Sequence, residues 1–291
     1  MFNGCSSLTS INVEGLDTSN VSYMSEIFRG CSLLTSLDLS SWEVGNVTSF
    51  YAMFDGCSSL NSLNLNNWDA DSVADMSYMF SNCSNLTGTL DLSNIKLKTS
   101  GTTPVSNVFT NCNNLTKIII PTFKENCSTV PIGWFSGCNN LVEVDLGEMI
   151  SSFERCHHTS NLVPFGFYRN NNLTTISGKF NVDFTKVFDA KYLIEDYWLT
   201  IGWAWFNGCN NIKDINFTGT IYTSADFTDY RIFRGCNTSN FTEATWLSFV
   251  NIFPQNTDGV TKKICVGSNL NQIPTTYATI LTNKGYTLYG A

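Results

Sequence analysis

Met53-Phe54-Asp55-Gly56-Cys57-Ser58-Ser59-Leu60-Asn61-Ser62-Leu63-Asn64-Leu65-Asn66-Asn67-Trp68 is the stretch whose reading decides the architecture. Phe is followed by Cys three residues on and Leu six on, then by Leu, Leu and Trp at steps of three, two and three. The same skeleton recurs along most of the chain. Phe opens it at positions 2, 28, 54, 80, 109, 135, 167, 206 and 233, with steps of 26, 26, 26, 29, 26, 32, 39 and 27 residues. Repetition at a period of 20 to 50 residues marks a stacked-repeat coil, in which each unit buries its apolar side against the next.

Within one unit, Leu34 to Trp42 reads as a strand. Leu37 and Leu39 lie two apart and face one way, whereas Ser36, Asp38 and Ser40 face the other. Trp42 turns inward to close the strand. A turn rich in Gly, Ser, Asn and Asp follows. Val47 to Phe54 is apolar at spacings of three and four, which predicts a short helical or 3₁₀ segment with one inward stripe, ended by Gly56. Strand, turn, short helix and turn together give an α/β solenoid with a parallel sheet of short strands. Two departures stand out in this order. Leu86-Thr-Gly-Thr-Leu90 carries one extra residue, read as a bulge. The long steps from Phe135 to Phe167 and from Phe167 to Phe206 hold insertions, which in solenoids map to loops on one face.

The solenoid is expected over 1–241, regular over 1–95 and interrupted over 96–241. The remainder, 242–291, reads as a C-terminal helix–strand cap. Thr242 to Phe253 reads as a helix with Trp246, Phe249, Val250 and Phe253 on one stripe, stopped by Pro254. Lys263 to Val266 is a short strand, Pro274 to Asn283 a second helix with Gly285 beyond it, and Tyr286 to Tyr289 closes the chain. The other end already sits inside a repeat (Phe2, Cys5, Leu8, Ile11), so that rung is expected to need a further stretch of chain or another chain to cover it.

Leu-x-x-Leu-x-Leu-x-x-Trp matches the strand segment of leucine-rich repeats. The run Asp17-Thr-Ser-Asn-Val21-x-x-Met24-x-x-Ile27-Phe28-x-Gly30-Cys31-Ser32 resembles the BspA-type leucine-rich-repeat surface proteins, and similar repeats occur in gut-phage proteins. The resemblance implies a right-handed leucine-rich-repeat coil. It also implies a surface adhesin contacting a protein or glycan on a host or neighbouring cell. The runner-up reading is a phage virion component, and a third is a self-assembling scaffold.

Composition narrows the chemistry. A formal charge of −8 without a Lys/Arg cluster argues against nucleic acid, which needs a basic footprint. No run approaches the roughly 18 apolar residues that span a bilayer, so membrane insertion is not expected. Eight of eleven cysteines hold one repeat position: Cys5, Cys31, Cys57, Cys83, Cys112, Cys138, Cys209 and Cys236. Asn170 takes that position in the rung of Phe167. A site open to Cys or Asn reads as a small buried group bonded to turn backbone, although neighbouring rungs are close enough for bridges. Cys127, Cys156 and Cys265 lie off this ladder.

His157 and His158 follow Cys156, but no spaced partner pair accompanies them, so no metal, cofactor or catalytic group is assigned. The central outward strand position reads Asn12, Asp38, Asn64, Asp91, Ile119, Asp145, Ser177 and Asn216. Asn and Asp disfavour strands. Their recurrence is first explained as a solubilising ladder, and alternatively as a polar groove with Asp38, Asn64, Asp91 and Asp145 as ligand contacts. Tyr192, Tyr197, Trp198, Trp203 and Trp205 read as the core of an enlarged rung; if exposed, Tyr197, Trp198 and Trp203 would suit glycan stacking or a protein hot spot.

Overall fold

The structure, a computed structural model, describes residues 1–98, 105–123, 133–147, 167, 170–181, 200–201, 206, 208–218, 220, 229–230 and 232–291. The inward Leu/Ile positions build a ladder of short parallel strands: β1 (Ser36–Asp38), β2 (Ser62–Asn64), β4 (Gly88–Asp91), β6 (Leu115–Ile119), β8 (Glu143–Asp145), β9 (Thr175–Asn181) and β11 (Asp214–Thr218). Equivalent residues lie in register, as in Leu37 with Leu63 and Ile118 with Val144. A second parallel ladder follows the strand-closing turn. It comprises β3 (Ala70–Val73), β5 (Ile95–Leu97) and β7 (Thr122–Phe123), and later β10 (Thr200–Ile201), β12 (Asp229–Tyr230), β13 (Lys262–Cys265) and β14 (Tyr286–Tyr289). The chain is therefore a parallel β-solenoid.

The segment expected as a short helix differs in kind. Its inward stripe is as read, since Val47, Phe50, Met53 and Phe54 are buried. Its hydrogen bonds, however, run between rungs. Ala52, Phe54 and Gly56 donate to Ser77, Met79 and Ser81 of the next rung at 2.8–2.9 Å, while Met53, Asp55 and Cys57 fold back three residues to Phe50, Ala52 and Phe54. Left-handed residues recur four apart along this segment. Examples are Ala52 and Gly56 (φ 50° and 77°), Tyr78 and Asn82 (59° and 61°), and Asn107 and Asn111 (57° and 62°). A left-handed non-Gly residue costs on the order of 1–2 kcal/mol, which is why Gly and Asn dominate the second place of each pair. A continuous helix would satisfy its own N–H groups and leave the next rung unbonded.

The core is a column. The nine repeat Phe rings stack one upon the next, with centroids 5.5, 5.9, 5.4, 5.9, 5.8, 4.9, 5.4 and 5.6 Å apart from Phe2 to Phe233. Beside it runs a thiol ladder. The Sγ of Cys31, Cys57, Cys83, Cys112, Cys138 and Cys209 each donates to the carbonyl of the preceding rung's Phe at 2.7–3.1 Å. Where Asn170 replaces Cys, its Nδ2 donates to Phe135 O at 3.1 Å. Cys236 departs, donating to Cys209 O instead. The nine described cysteines are free thiols, and all but Cys5 are buried. Trp42 and Trp68 close their strands inward and donate to carbonyls one rung back. Leu16, which holds the same place in the first rung, is 43% exposed.

The C-terminal helices fall close to their expected places: α1 (Glu243–Asn251), capped by Thr242, and α2 (Thr275–Asn283). A 3₁₀ turn at Leu270–Gln272 was not anticipated. Helix α1 seals the edge strand β11. Thr245 Oγ1 and Ser248 Oγ accept from Ile215 N and Phe217 N at 3.0 and 3.2 Å, supplying the acceptors a further strand would bring. Hydroxyls of a helix thus finish the sheet.

Burial lifts the thiols of Cys57, Cys138 and Cys209 from 9.0 to about 12. Unfolded thiols ionise near 9, whereas these stay protonated in the fold until about 12. Their stabilising contribution is therefore full below pH 9 and is lost as pH rises through 12. Urea midpoints are expected to fall from about pH 9 upward, and less steeply when the three residues are replaced by Ala. Native alkylation should modify only Cys5 among the nine described cysteines; labelling of the buried eight in the folded protein would contradict the ladder.

Candidate binding site on the strand face

The outward side of the strand ladder carries two columns. One reads Ser36, Ser62, Thr89, Lys117, Glu143, Thr175 and Asp214; the other reads Asp38, Asn64, Asp91, Ile119, Asp145 and Ser177, and the register shifts before Asn216 could join it. The sequence-predicted contacts Asp38, Asn64, Asp91 and Asp145 thus share one column. Asp38 and Asp91 are exposed, and Asn64 and Asp145 half-buried. Lys117 Nζ bonds Glu143 Oε1 at 2.8 Å, so the cation of this face is neutralised by its neighbour.

The structure supplies a cause for the recurring Asn and Asp that neither sequence explanation contained. Five of them accept, through Oδ1, the backbone N–H two residues on. Glu14 N bonds Asn12, Ser40 N bonds Asp38, Asn66 N bonds Asn64, Ser93 N bonds Asp91 and Gly147 N bonds Asp145, all at 2.8–3.0 Å. This Asx turn breaks the strand where the coil must bend. Ser40 adds a hydroxyl bond at 2.6 Å, and its side-chain and backbone donors hold the Asp38 carboxyl below the usual carboxylate range. One oxygen of each residue is committed to the turn. The signal was present in the sequence as Asn/Asp followed two positions later by Glu, Ser, Asn or Gly.

The ladder is not continuous. β1 and β2 form one sheet, and β4 begins another. Between them opens a cleft of about 360 Å³, floored by leucines of both strands and Trp68, and rimmed by Asn64, Asn66, Asn67, Asp91 and Asn94. The extra residue read as a bulge lies beside it: Leu86 and Leu90 stand four apart where Leu60 and Leu63 stand three apart, and Gly88 between them takes φ +76°. The turn side stays closed, with Phe54 and Phe80 stacked at 5.4 Å.

Tyr197, Trp198 and Trp203, together with Tyr192, Trp205, Cys127, Cys156, His157 and His158, lie outside the described residues. Among the described residues no group of three or more His, Cys, Asp or Glu could hold a metal ion. No helix among them is long and apolar enough to cross a membrane.

Six copies of the BspA type leucine rich repeat match residues 77–182 and 184–276. The chain belongs to the BspA-type leucine-rich-repeat family. A further family, described as a Mycoplasma protein of unknown function, matches residues 1–122. Together the two matches run along nearly the whole BspA-type coil. A crystal structure of a T. pallidum leucine-rich-repeat protein is 17% identical, with 84% of this chain and 80% of that chain covered and a TM-score of 0.38. No curated protein matches. Membership of a repeat family of this kind makes the chain a binding module in the broad sense.

The Asx turn is tested at Asp145. Replacement by Asn keeps the acceptor and should leave amide exchange at Gly147 slow. Replacement by Ala should speed it at least tenfold, and equal rates in both variants would remove the turn from the account.

Proposed function

We propose that this chain is a non-enzymatic adhesion module of a cell surface, recognising a protein or glycan through its solenoid face. The observation that carries the reading is the open strand face, where side chains of matching role stand in columns across successive rungs. Such columns give a partner a repeated set of polar contacts at the ~4.8 Å rung spacing. The carboxylates of Asp38, Asp91 and Asp145 make it acidic, which favours a partner with a basic or amide-rich surface. Because each keeps one oxygen for its turn, the other is held in a fixed direction and loses little freedom on binding.

A second reading, a phage virion component, draws on the free thiols, since a chain folded with nine unbridged cysteines suits assembly in a reducing cytoplasm. Thiol mapping of the native protein separates the two: a defined set of bridges removes the virion reading.

The adhesion reading is tested on immobilised matrix proteins and a glycan array. At least one partner should bind, and a double Asp38→Lys, Asp145→Lys variant should bind it at least tenfold more weakly. Silence across both panels, or binding indifferent to the double substitution, would defeat it.

A further inference from the structure

Most joins between neighbouring strands of the outward ladder carry the same hydrogen bond just past the strand. Leu39 N bonds Asn64 O, Leu92 N bonds Ile119 O, Ile120 N bonds Asp145 O and Leu146 N bonds Ser177 O, each at 3.0 Å. At the β2–β4 join the equivalent donor is Leu65 N, and its bond to Asp91 O is not made. In a parallel ladder alternate residues bond to opposite sides. β2 turns the N–H and C=O of Asn64 toward β1, so those of Leu63 and the N–H of Leu65 point into the cleft. On the far wall, Leu90 and Leu92 serve β6, so the polar groups of Thr89 and Asp91 point back toward β2.

The cleft is thus walled by two sheet edges of one direction, with ladder groups that the fold leaves unused. Unpaired strand edges are templates for another strand. The far end of this same sheet shows that the protein covers an edge where it needs to, since Thr245 and Ser248 seal β11. Among the described residues no equivalent hydroxyls reach the β2–β4 join.

We propose that the β2–β4 cleft is a strand-addition site for an extended peptide of a partner protein. The peptide pairs parallel to β2 through Leu63 and Leu65 and lays a basic side chain against Asp91. Main-chain bonds would supply the affinity and the alternate side chains the selectivity. Charge fixes the sign: among the described residues the cleft is lined by one carboxylate and four asparagines, with no lysine or arginine. Its volume of about 360 Å³ lies at the small end for ligand sites, which suits about three residues of extended chain rather than a folded surface. This deepens the adhesion reading by naming one contact, and it rests on that reading for the existence of a protein partner.

The probes are the synthetic heptapeptide Thr-Val-Thr-Lys-Thr-Val-Thr, its Glu-centred counterpart, and the Lys peptide N-methylated on alternate residues. The readout is amide hydrogen exchange by NMR in the full chain. In the free protein, Leu65 should exchange at least tenfold faster than Leu39 and Leu92. The Lys peptide should slow Leu63 and Leu65, the Glu peptide should bind at least tenfold more weakly, and the methylated peptide should give no protection. Asp91→Lys, at an exposed side chain, should reverse the preference between the Lys and Glu peptides. Deletion of Gly88 should restore the ladder, protect Leu65 without peptide and abolish binding. Slow exchange at Leu65 in the free protein, no protection by the Lys peptide, or protection that survives methylation would each overturn the proposal. A partner found in the matrix panel while the cleft ignores all three peptides removes this site alone and leaves the adhesion reading standing.

Discussion

A thiol placed over a carbonyl, one rung back, sets the geometry on which the rest of the coil depends. The Phe carbonyl accepts twice, from the Cys N–H of its own rung and from the Cys thiol of the next, as at Phe28 with Cys31 N and Cys57 Sγ. That pairing fixes the lateral position of successive rungs as well as their separation. The rings above the carbonyls then have no choice but to stack. A Leu or Val in the Cys position would fill the space but leave one acceptor of a buried carbonyl unused. Asn170 can substitute because its amide also donates, although its Oδ1 stays buried and unpaired. Satisfaction of backbone, more than hydrophobicity, chose the residue.

From that constraint follow three ladders with different tolerances. The turn-side ladder runs on alternating backbone hands and depends on Gly and Asn in fixed places. The Phe–Cys column tolerates long insertions between units, since the steps of 32 and 39 residues leave ring spacings of 4.9 and 5.4 Å. The outward strand ladder is the least constrained, because among the described residues nothing covers it. It breaks between β2 and β4, beside the added residue at Gly88, while the column beneath stays closed. Function in this coil is therefore expected where the ladders disagree about the length of a rung.

Much of this was legible in the sequence because the repeat is strict where burial is complete. The nine Phe and eight Cys positions, the inward Trp42 and Trp68, the extra residue before Leu90 and the C-terminal helices could all be read from spacing. What could not be read was the direction of hydrogen bonds. Val47 to Phe54 has helical periodicity because each third or fourth residue faces the core in a chain of linked turns too. Asp38 and Asp145 looked like surface chemistry because an Asx turn and a ligand contact call for the same side chain. The split beside Asn64 and Asp91 required knowing which of two faces each backbone group serves, and periodicity is silent on that.

The most direct measurement removes one ring from the middle of the column. Phe80 is fully buried and stacks between Phe54 and Phe109 at 5.4 and 5.9 Å. In Phe80→Ala, equilibrium urea unfolding should show a loss of about 3–5 kcal/mol, with the two flanking halves no longer melting together. A loss of about 1 kcal/mol or less, with unfolding as cooperative as before, would mean that the rungs do not hang on this column, and the account would fail.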